Sequence, residues 1–205
     1  MPDIASLFAT PLYRAELGRG HARLHRDVRA ECQAIAADDR AGQAWSRAHG
    51  YQGYTSYASL NDLTWRSPVL AELEAVLGRH VATFARTLEM DTGRRAWAAD
   101  SLWINCLAPG GHHAAHIHPH SVISGTYYVE VPKGASAIRF EDPRLGLMMA
   151  APPRKATARI ANRTFVDIKP KPGTVLLWES WLRHEVPVNK ARTKRVSLSF
   201  NYRLQ

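Results

Sequence analysis

Three histidines and one arginine in the C-terminal half of the chain have residue types and spacings that suit a metal centre. His116 and His118 are separated by one residue, and they share one face of a β-strand because side chains alternate along it. His184 and Arg195 follow in later segments with strand-like patterns. Imidazole nitrogens bind divalent transition metals, and a guanidinium group holds a carboxylate through two parallel hydrogen bonds. The set therefore indicates a metal ion with an anionic molecule bound beside it.

The histidine-rich run around this pair has a second interpretation. Five histidines between residues 112 and 120 could instead form a solvated loop that scavenges metal ions. Residues 121–129, which follow, have a strand pattern, and the distant His184 precedes another strand. This arrangement is expected when ligands converge from different strands of one barrel. We expect the three other histidines of the run to be ordinary polar loop residues: His112, His113 and His120.

The last predicted strand has one polar and one apolar face. Its polar positions are Arg195, Ser197, Ser199, Asn201 and Arg203, which alternate with Val196, Leu198, Phe200, Tyr202 and Leu204. The polar face either meets solvent or lines a ligand-filled lumen. In the second arrangement Arg195 would bind a carboxylate and Ser197 would add a hydrogen bond. The pattern alone favours neither arrangement.

Two amphipathic helices are predicted upstream of these strands. The first has apolar residues at helical spacing between Gly20 and a stop at Gly42: Leu24, Val28, Cys32 and Ile35. The second has an apolar stripe over residues 70–88, preceded by Ser67 as N-cap and Pro68 in the first turn. Both stripes are expected to pack on a sheet. Between them, residues 49–57 are rich in Gly and Tyr and are expected to form an ordered loop that could wall a binding site.

After about residue 96 the pattern changes to short strands separated by Gly, Pro and Asn turns, which is typical of a sandwich or jelly roll. The predicted strands are 97–107, 112–118, 122–131, 137–140, 164–168, 174–178, 184–188 and 194–203. Residues 144–163 are basic and less regular, and we interpret them as a partly ordered insertion. We expect residues 1–205 to form a single domain, with a helical N-terminal part (1–95) and a β-barrel core (96–205).

Composition favours a globular protein without a membrane span and with a basic C-terminal half. The 205 residues carry a net charge of +9, and no apolar run approaches the length of a membrane span. The N-terminus has no signal-peptide pattern, and only two cysteines are present, so a reducing cytoplasm is expected. Residues 1–100 hold 12 basic and 12 acidic side chains, whereas residues 101–205 hold 15 and 6. The basic excess of the second half could attract an anionic cosubstrate, an acidic substrate or a nucleic acid.

One set of motifs resembles a known family. His116-x-His118, a distal His184 and then Arg195-x-Ser197 look like the Fe(II)/2-oxoglutarate-dependent oxygenases. More narrowly, residues 105–201 resemble a family of 2-oxoglutarate-Fe(II) oxygenases of bacteria and phages. The positions that carry this narrower resemblance are Asn105, Gly110, His116, His118, Pro119, Ser124, Gly125, Tyr127, Tyr128, Pro172, Gly173, His184, Arg195, Ser197, Ser199 and Asn201.

The resemblance implies a mainly β fold, a double-stranded β-helix (a cupin-like jelly-roll barrel) with N-terminal helices packed on it. It implies that Fe(II) is bound by His116, His118 and His184, with 2-oxoglutarate as cosubstrate and O2 as oxidant. Arg195 and Ser197 would bind the distal carboxylate of 2-oxoglutarate. The residues expected to line the same cavity are Asn105, Ser124 and Tyr128. The substrate would lie near Trp178, Trp181 and the loop from Tyr51 to Tyr57.

One position departs from the usual pattern. Most such oxygenases bind iron with two histidines and one carboxylate, and here His118 stands where the carboxylate is expected. Two alternatives therefore stay open. One is a cupin-like three-histidine metalloenzyme, with iron or zinc, that does not use 2-oxoglutarate. The other is a basic module that binds nucleic acid or another polyanion through residues 154–171, although no nucleic-acid motif is present. The sequence is compatible with a homo-oligomer.

Overall fold

Ten β-strands form two antiparallel sheets in the computed structural model, which describes residues 3–205. The strands are β1 (Tyr13–Glu16), β2 (Gly53–Thr55), β3 (Trp97–Leu107), β4 (His113–His116), β5 (Ile123–Glu130), β6 (Ile138–Glu141), β7 (Phe165–Ile168), β8 (Thr174–Glu179), β9 (His184–Val186) and β10 (Arg195–Leu204). The larger sheet has the order β1-β8-β5-β10-β3-β2, and the smaller has the order β4-β9-β6-β7. All eight strands predicted after residue 96 are present, with bounds that differ by a few residues.

The N-terminal part is not purely helical. It supplies both edge strands of the larger sheet, because β1 pairs with β8 and β2 pairs with β3. Strand β2 lies in the segment that was expected to be a loop. Its short length and lack of clear alternation explain why the sequence did not predict it.

Four α-helices flank the larger sheet: α1 (Ala22–Asp38), α2 (Arg40–Ala48), α3 (Leu63–Arg66) and α4 (Pro68–Thr87). Helix α4 confirms the predicted start, since the Ser67 hydroxyl accepts a hydrogen bond from the Leu70 amide at 3.3 Å. The predicted stop at Gly42 is wrong. Helix α1 ends at Asp38, and Gly42 lies inside α2, where the Asp39 carboxylate caps its amide at 2.9 Å. A Cβ at Gly42 would collide with Asp39, Ser59 and Tyr54, so close packing and not helix termination requires the glycine.

The two faces of β10 have different surroundings. Its apolar residues are buried in one cluster with the apolar stripes of α1 and α4; those residues are Val196, Leu198, Phe200 and Tyr202. Its polar residues Arg195, Ser197, Ser199 and Asn201 point into the space between the two sheets. The lumen arrangement is therefore correct, because the helices cover the apolar face and leave the polar face for the interior of the barrel.

Residues 144–163 contain two short 3-10 turns, Leu145–Leu147 and Ile160–Asn162, and no α-helix or strand. This agrees with the interpretation of a partly ordered insertion. Within residues 3–205, no helix combines the length and the apolar character needed to cross a bilayer. Cys32 and Cys106 are both buried free thiols.

Candidate metal centre and cosubstrate cavity

Three histidines converge where the two sheets face each other. His116 and His184 are directly paired across β4 and β9, and their ring centroids are 4.4 Å apart. His118 lies two residues beyond the end of β4, where its backbone amide donates to the carbonyl of Ser180 at 3.0 Å. Its ring centroid is 5.1 Å from each of the other two. The candidate ligand atoms of the three residues all lie within 4.8 Å of one another.

The strand that carries the pair is shorter than expected. The sequence predicted a strand over residues 112–118 with His116 and His118 on one face, whereas β4 ends at His116 and its register shifts between His113 and His116. Strand alternation therefore does not place His118. The hydrogen bond to Ser180 holds the residue against the other two histidines, while the half-exposed Ile117 lies at the edge of the cavity.

Hydrogen bonds to the backbone orient two of the three rings. His116 Nδ1 lies 2.7 Å from the carbonyl oxygen of Ala114, and His184 Nδ1 lies 2.9 Å from that of Leu182. A carbonyl only accepts, so Nδ1 carries the proton in both rings and Nε2 is left with a free lone pair. A donor bond from the second ring nitrogen is the usual way in which proteins orient histidine ligands.

Burial keeps the imidazoles of His118 and His184 in the form that binds metals. It lowers the pKa of His184 to about 3, where the bond to Leu182 opposes the shift, and it lowers the pKa of His118 to about 4. Both groups are therefore neutral near pH 7, and a metal ion has no proton to displace. The buried Nε2 of His118 has no hydrogen-bond partner. A cluster of three imidazoles with an unsatisfied buried nitrogen fits a divalent transition metal.

Arg195 is a buried cation without an acidic partner. The side chain is 2% exposed, and within residues 3–205 it forms no ion pair. Its guanidinium carbon lies 4.9 Å from the ring centre of Tyr128. Its Nε and the Tyr128 hydroxyl are both buried without a hydrogen-bond partner. Burying an unpaired charge costs several kcal/mol, about 3–5 when one partner of a buried pair is removed, so this pocket favours an anion.

Asn105 joins the cavity wall to the N-terminal part. Its amide nitrogen donates to the Ser199 hydroxyl at 3.1 Å, and its amide oxygen accepts from Thr55 at 3.0 Å and from Tyr51 at 3.4 Å. Ser197 is buried on the same wall, between Arg195 and Ser199 along β10. The cavity is therefore lined by Asn105, Ser197 and Tyr128. Their role in binding a cosubstrate stays a prediction.

Ser124 differs from this expectation. It does not line the cavity but lies behind its wall, fully buried. Its hydroxyl donates to the side-chain oxygen of Asn201 at 2.7 Å and lies 2.7 Å from the Ser180 hydroxyl. Asn201 in turn contacts His118 and opposes the lowering of its pKa. Ser124 therefore supports the histidine cluster. Strand alternation puts Ser124 on the same face as Thr126, which lines the cavity, so the sequence pattern did not distinguish the two residues.

His113 is a functional candidate that the sequence did not favour. It was expected to be an ordinary loop residue, yet its Nε2 lies 2.8 Å from the Tyr51 hydroxyl and burial beside Arg195 lowers its pKa to about 3. The sequence did not distinguish His113 from the adjacent His112, which is exposed. His120, at the cavity mouth, has a left-handed backbone with φ of 76°.

The cavity has a volume of about 490 Å³ and two dissimilar ends. The floor holds the histidines and Arg195. The mouth is aromatic and comes largely from the N-terminal part: Trp45, Tyr51 and Tyr57, with Trp103 from β3. Within residues 3–205, no aspartate or glutamate lines the cavity. Trp178 lines it and packs edge-on against His184, whereas Trp181 is 48% exposed and lies outside it.

The part of the chain that supplies the floor matches a known family. Residues 101–201, about half of the chain, match the family described as "Putative 2OG-Fe(II) oxygenase". They belong to the 2OG-Fe(II) oxygenases. Since 2-oxoglutarate and Fe(II) define this family, the protein is an enzyme that uses Fe(II), 2-oxoglutarate and O2. A comparison with curated proteins found no sequence match.

Solved structures share the fold of this 2OG-Fe(II) oxygenase. A prolyl-4-hydroxylase from Pseudomonas putida is 15% identical, with a TM-score of 0.57 over 95% of this chain and 92% of that one. The epimerase SnoN, in complex with Fe3+, alpha ketoglutarate and nogalamycin RO, is 14% identical, with a TM-score of 0.61 over 95% and 79%. HygX from Streptomyces hygroscopicus, with nickel and 2-oxoglutarate bound, is 14% identical, with a TM-score of 0.60 over 95% and 82%. The predicted double-stranded β-helix is confirmed.

Proposed function

We propose that this oxygenase binds Fe(II) through His116, His118 and His184 and anchors the distal carboxylate of 2-oxoglutarate with Arg195. The observation that carries the proposal is the buried guanidinium without a carboxylate partner, in the same cavity as the histidine cluster. A dicarboxylate held by Arg195 and by the metal would offset two of the three positive charges that Arg195 and a divalent ion bring to the cavity. The name of the matching family supports this assignment.

The neighbouring polar residues have separate roles in this proposal. Ser197 and the Tyr128 hydroxyl would complete the hydrogen bonds of the carboxylate that Arg195 holds. Asn105, fixed by Thr55 and Ser199, would position the cosubstrate from the side. Ser124 would act on the cosubstrate only through Asn201, since its hydroxyl is already used inside the wall.

The protein supplies position and a dry environment for the reaction. Bound Fe(II) would couple the oxidative decarboxylation of 2-oxoglutarate, which gives succinate and CO2, to oxidation of the substrate by O2. The backbone bonds of His116 and His184 would hold their Nε2 atoms toward the ion. The buried floor around His184 and Trp178 would keep bulk water from the reacting atoms.

His118 favours one second candidate function. A site with three histidines and no carboxylate also suits zinc, or an iron enzyme that needs no cosubstrate. The two functions differ in their need for Arg195, because only the 2-oxoglutarate enzyme has a dicarboxylate to anchor. The unpaired buried guanidinium therefore supports the first function over the second.

Formation of succinate tests this proposal. Protein supplied with Fe(II), O2 and 2-oxoglutarate is expected to form succinate even without substrate, and Arg195→Ala is expected to lower turnover at low 2-oxoglutarate by about 30-fold or more. Metal binding by Arg195→Ala should remain, because the side chain is not in the histidine cluster. The matched control is Arg203→Ala, an exposed arginine near the end of the same strand. Unchanged succinate formation by Arg195→Ala would refute the anchor.

We also propose that all 205 residues act as one functional unit. Residues from both halves line the same cavity, and Tyr51 of the N-terminal part hydrogen-bonds to His113 of the barrel at 2.8 Å. A shortened chain without the N-terminal part would lack one wall of the site. Small-molecule turnover is the activity that such a shared cavity supports.

A further inference from the structure

The mouth of the cavity presents aromatic surface beside the candidate metal site. The ring of Trp103 lies nearly parallel to the ring of His118 and is offset from it, with centroids 5.9 Å apart and planes inclined by 27°. Tyr57 meets Trp103 edge-on, at 5.3 Å and 69°. Tyr57 is nevertheless 64% exposed, so most of its ring surface has no protein partner. Aromatic surface left open next to a reaction centre is suited to packing against another ring.

A second part of the mouth has the same character. Trp45, on the helix α2, lines the cavity and stacks on His49 at 4.2 Å with planes inclined by 16°. Tyr51 lines it as well, with its hydroxyl turned inward to His113. These rings come from three separate segments of the chain. Their convergence on one opening is a property of the fold and not of one aromatic run in the sequence.

The charge of the cavity determines which charge its substrate should carry. Within the described residues 3–205, no carboxylate lines it, and Arg195 is its one arginine or lysine. Imidazoles bound to a metal ion are neutral. A divalent ion and Arg195 therefore contribute three positive charges, whereas the two carboxylates of 2-oxoglutarate contribute two negative charges. A carboxylate in place of His118 would remove this excess. The loaded site is therefore left with one positive charge that no residue of the cavity compensates.

We propose that the substrate is a small molecule that carries a flat aromatic ring and an anionic group, the ring packing on Tyr57 and Trp103 and the anion facing the histidine-rich floor. The inference rests on the proposed function, since the charge count includes the metal and 2-oxoglutarate. It goes further because it assigns a substrate class to this chain's own mouth residues.

The depth of the site favours a small molecule over a macromolecule. His184 and Arg195 are almost fully buried, and the whole cavity of about 490 Å³ must also hold 2-oxoglutarate. A volume of this order accommodates metabolite-sized ligands. His116 is not buried, so it is the depth of His184 and Arg195 that a folded protein surface or a duplex nucleic acid would not reach.

Three probes with the same ring and different charge test the proposal: 2-naphthoate, 2-naphthylmethanol and 2-naphthylmethylammonium. Their dissociation constants are measured by calorimetry on the full chain, loaded with Ni(II) and saturated with 2-oxoglutarate, so that no turnover occurs. We expect naphthoate to bind at least about 10-fold more tightly than the ammonium probe, with the alcohol between them. The saturated analogue decalin-2-carboxylate, which has the charge without the flat ring, is expected to bind more weakly than naphthoate.

Variants of the mouth locate the binding. Tyr57→Leu and Trp103→Leu are each expected to weaken the binding of naphthoate by about 2- to 12-fold, which is the range for the loss of one aromatic pair. Trp103→Phe should recover part of this affinity. The matched control is Trp65→Leu, because Trp65 is 84% exposed and lies outside the cavity. Equal losses in the control, or none in the mouth variants, would overturn the assignment of these rings.

Two further outcomes separate this inference from the proposed function. If Ni(II)-loaded protein does not bind 2-oxoglutarate, the proposed function fails before any probe is added. If 2-oxoglutarate binds but the three probes bind equally, or naphthoate competes with 2-oxoglutarate for Arg195, the substrate class is wrong and the proposed function stands. Tighter binding of an aromatic peptide or a single-stranded oligonucleotide than of naphthoate would also overturn the small-molecule proposal.

Discussion

The floor and the mouth of the cavity are built by different chemistry and by different parts of the chain. The floor consists of polar groups, most of them buried, from residues 101–201, the part that matches the oxygenase family. The mouth consists of partly exposed aromatic rings that come mostly from residues 45–57, outside that match. From this difference we infer a division of labour, in which the floor would perform the oxidation and the mouth would select the molecule that is oxidised.

The largest effect is expected at the floor. His184→Ala removes a proposed ligand whose Nε2 is left free by the bond of Nδ1 to Leu182, and it should weaken Ni(II) binding by at least about 100-fold. The control is His112→Ala, an exposed histidine of the same histidine-rich run. Tyr57→Leu, at the mouth, should leave Ni(II) affinity unchanged. Equal losses in all three variants, measured by metal titration, would contradict the division between floor and mouth.

Acid is expected to destabilise the floor more than the mouth. The folded pKa values of His113, His118 and His184 are about 3, 4 and 3, below the ordinary value of about 6.5 in the unfolded chain. Between these values the unfolded state binds more protons, so the free energy of unfolding of the metal-free protein falls as pH drops below about 6.5. At pH 5 the loss is up to about 2 kcal/mol for each histidine.

Urea unfolding at pH 7.5 and pH 5 measures this loss. His113→Gln replaces one of these groups with a side chain that does not titrate, and the loss between the two pH values should shrink by up to about 2 kcal/mol. Tyr57→Leu removes only a mouth ring and should keep the full loss. An unchanged pH dependence in His113→Gln would show that this histidine does not contribute to the acid lability.

The smallest effect is expected where the mouth is anchored. Asp39 caps helix α2, which carries Trp45, and also accepts hydrogen bonds from Tyr54 and Ser59. Burial alone would raise the pKa of Asp39, but these bonds together lower it. Asp39→Ala should lower the free energy of unfolding by about 1–2 kcal/mol. It should also weaken the binding of naphthoate, while the affinity for Ni(II) stays unchanged. The control variant is Asp38→Ala, at the exposed neighbouring residue. An equal effect of this variant would contradict the anchoring role of Asp39.

The candidate residues of the floor could be selected from the sequence because their signals are local and periodic, but only the family resemblance placed them around one lumen. The alternation along β10 separated Arg195 and Ser197 from the apolar residues, and the spacing of His116 and His118 suggested a pair. Local pattern did not predict that β4 ends at His116, since a long-range hydrogen bond to Ser180 positions His118. It also did not separate Ser124 from its neighbours on β5, because the choice between wall and cavity depends on Asn201.

The mouth was only partly predictable because its geometry is nonlocal. The Tyr-rich loop was recognised as a possible wall, but its pairing as β2 with the long strand β3 was not. Trp45 gave no signal, because the predicted stop at Gly42 concealed the helix α2 that carries it. Trp103 sits within a correctly predicted strand, and the sequence alone did not show that its ring turns toward His118.

A crystal structure of the protein with Fe(II) and 2-oxoglutarate, prepared without O2, tests the central claim most directly. The account predicts one iron ion bound by His116, His118 and His184, with the distal carboxylate of 2-oxoglutarate on Arg195. It predicts no direct contact between 2-oxoglutarate and Ser124. Iron bound instead by His112, His113 or His120, or 2-oxoglutarate bound away from Arg195, would contradict it.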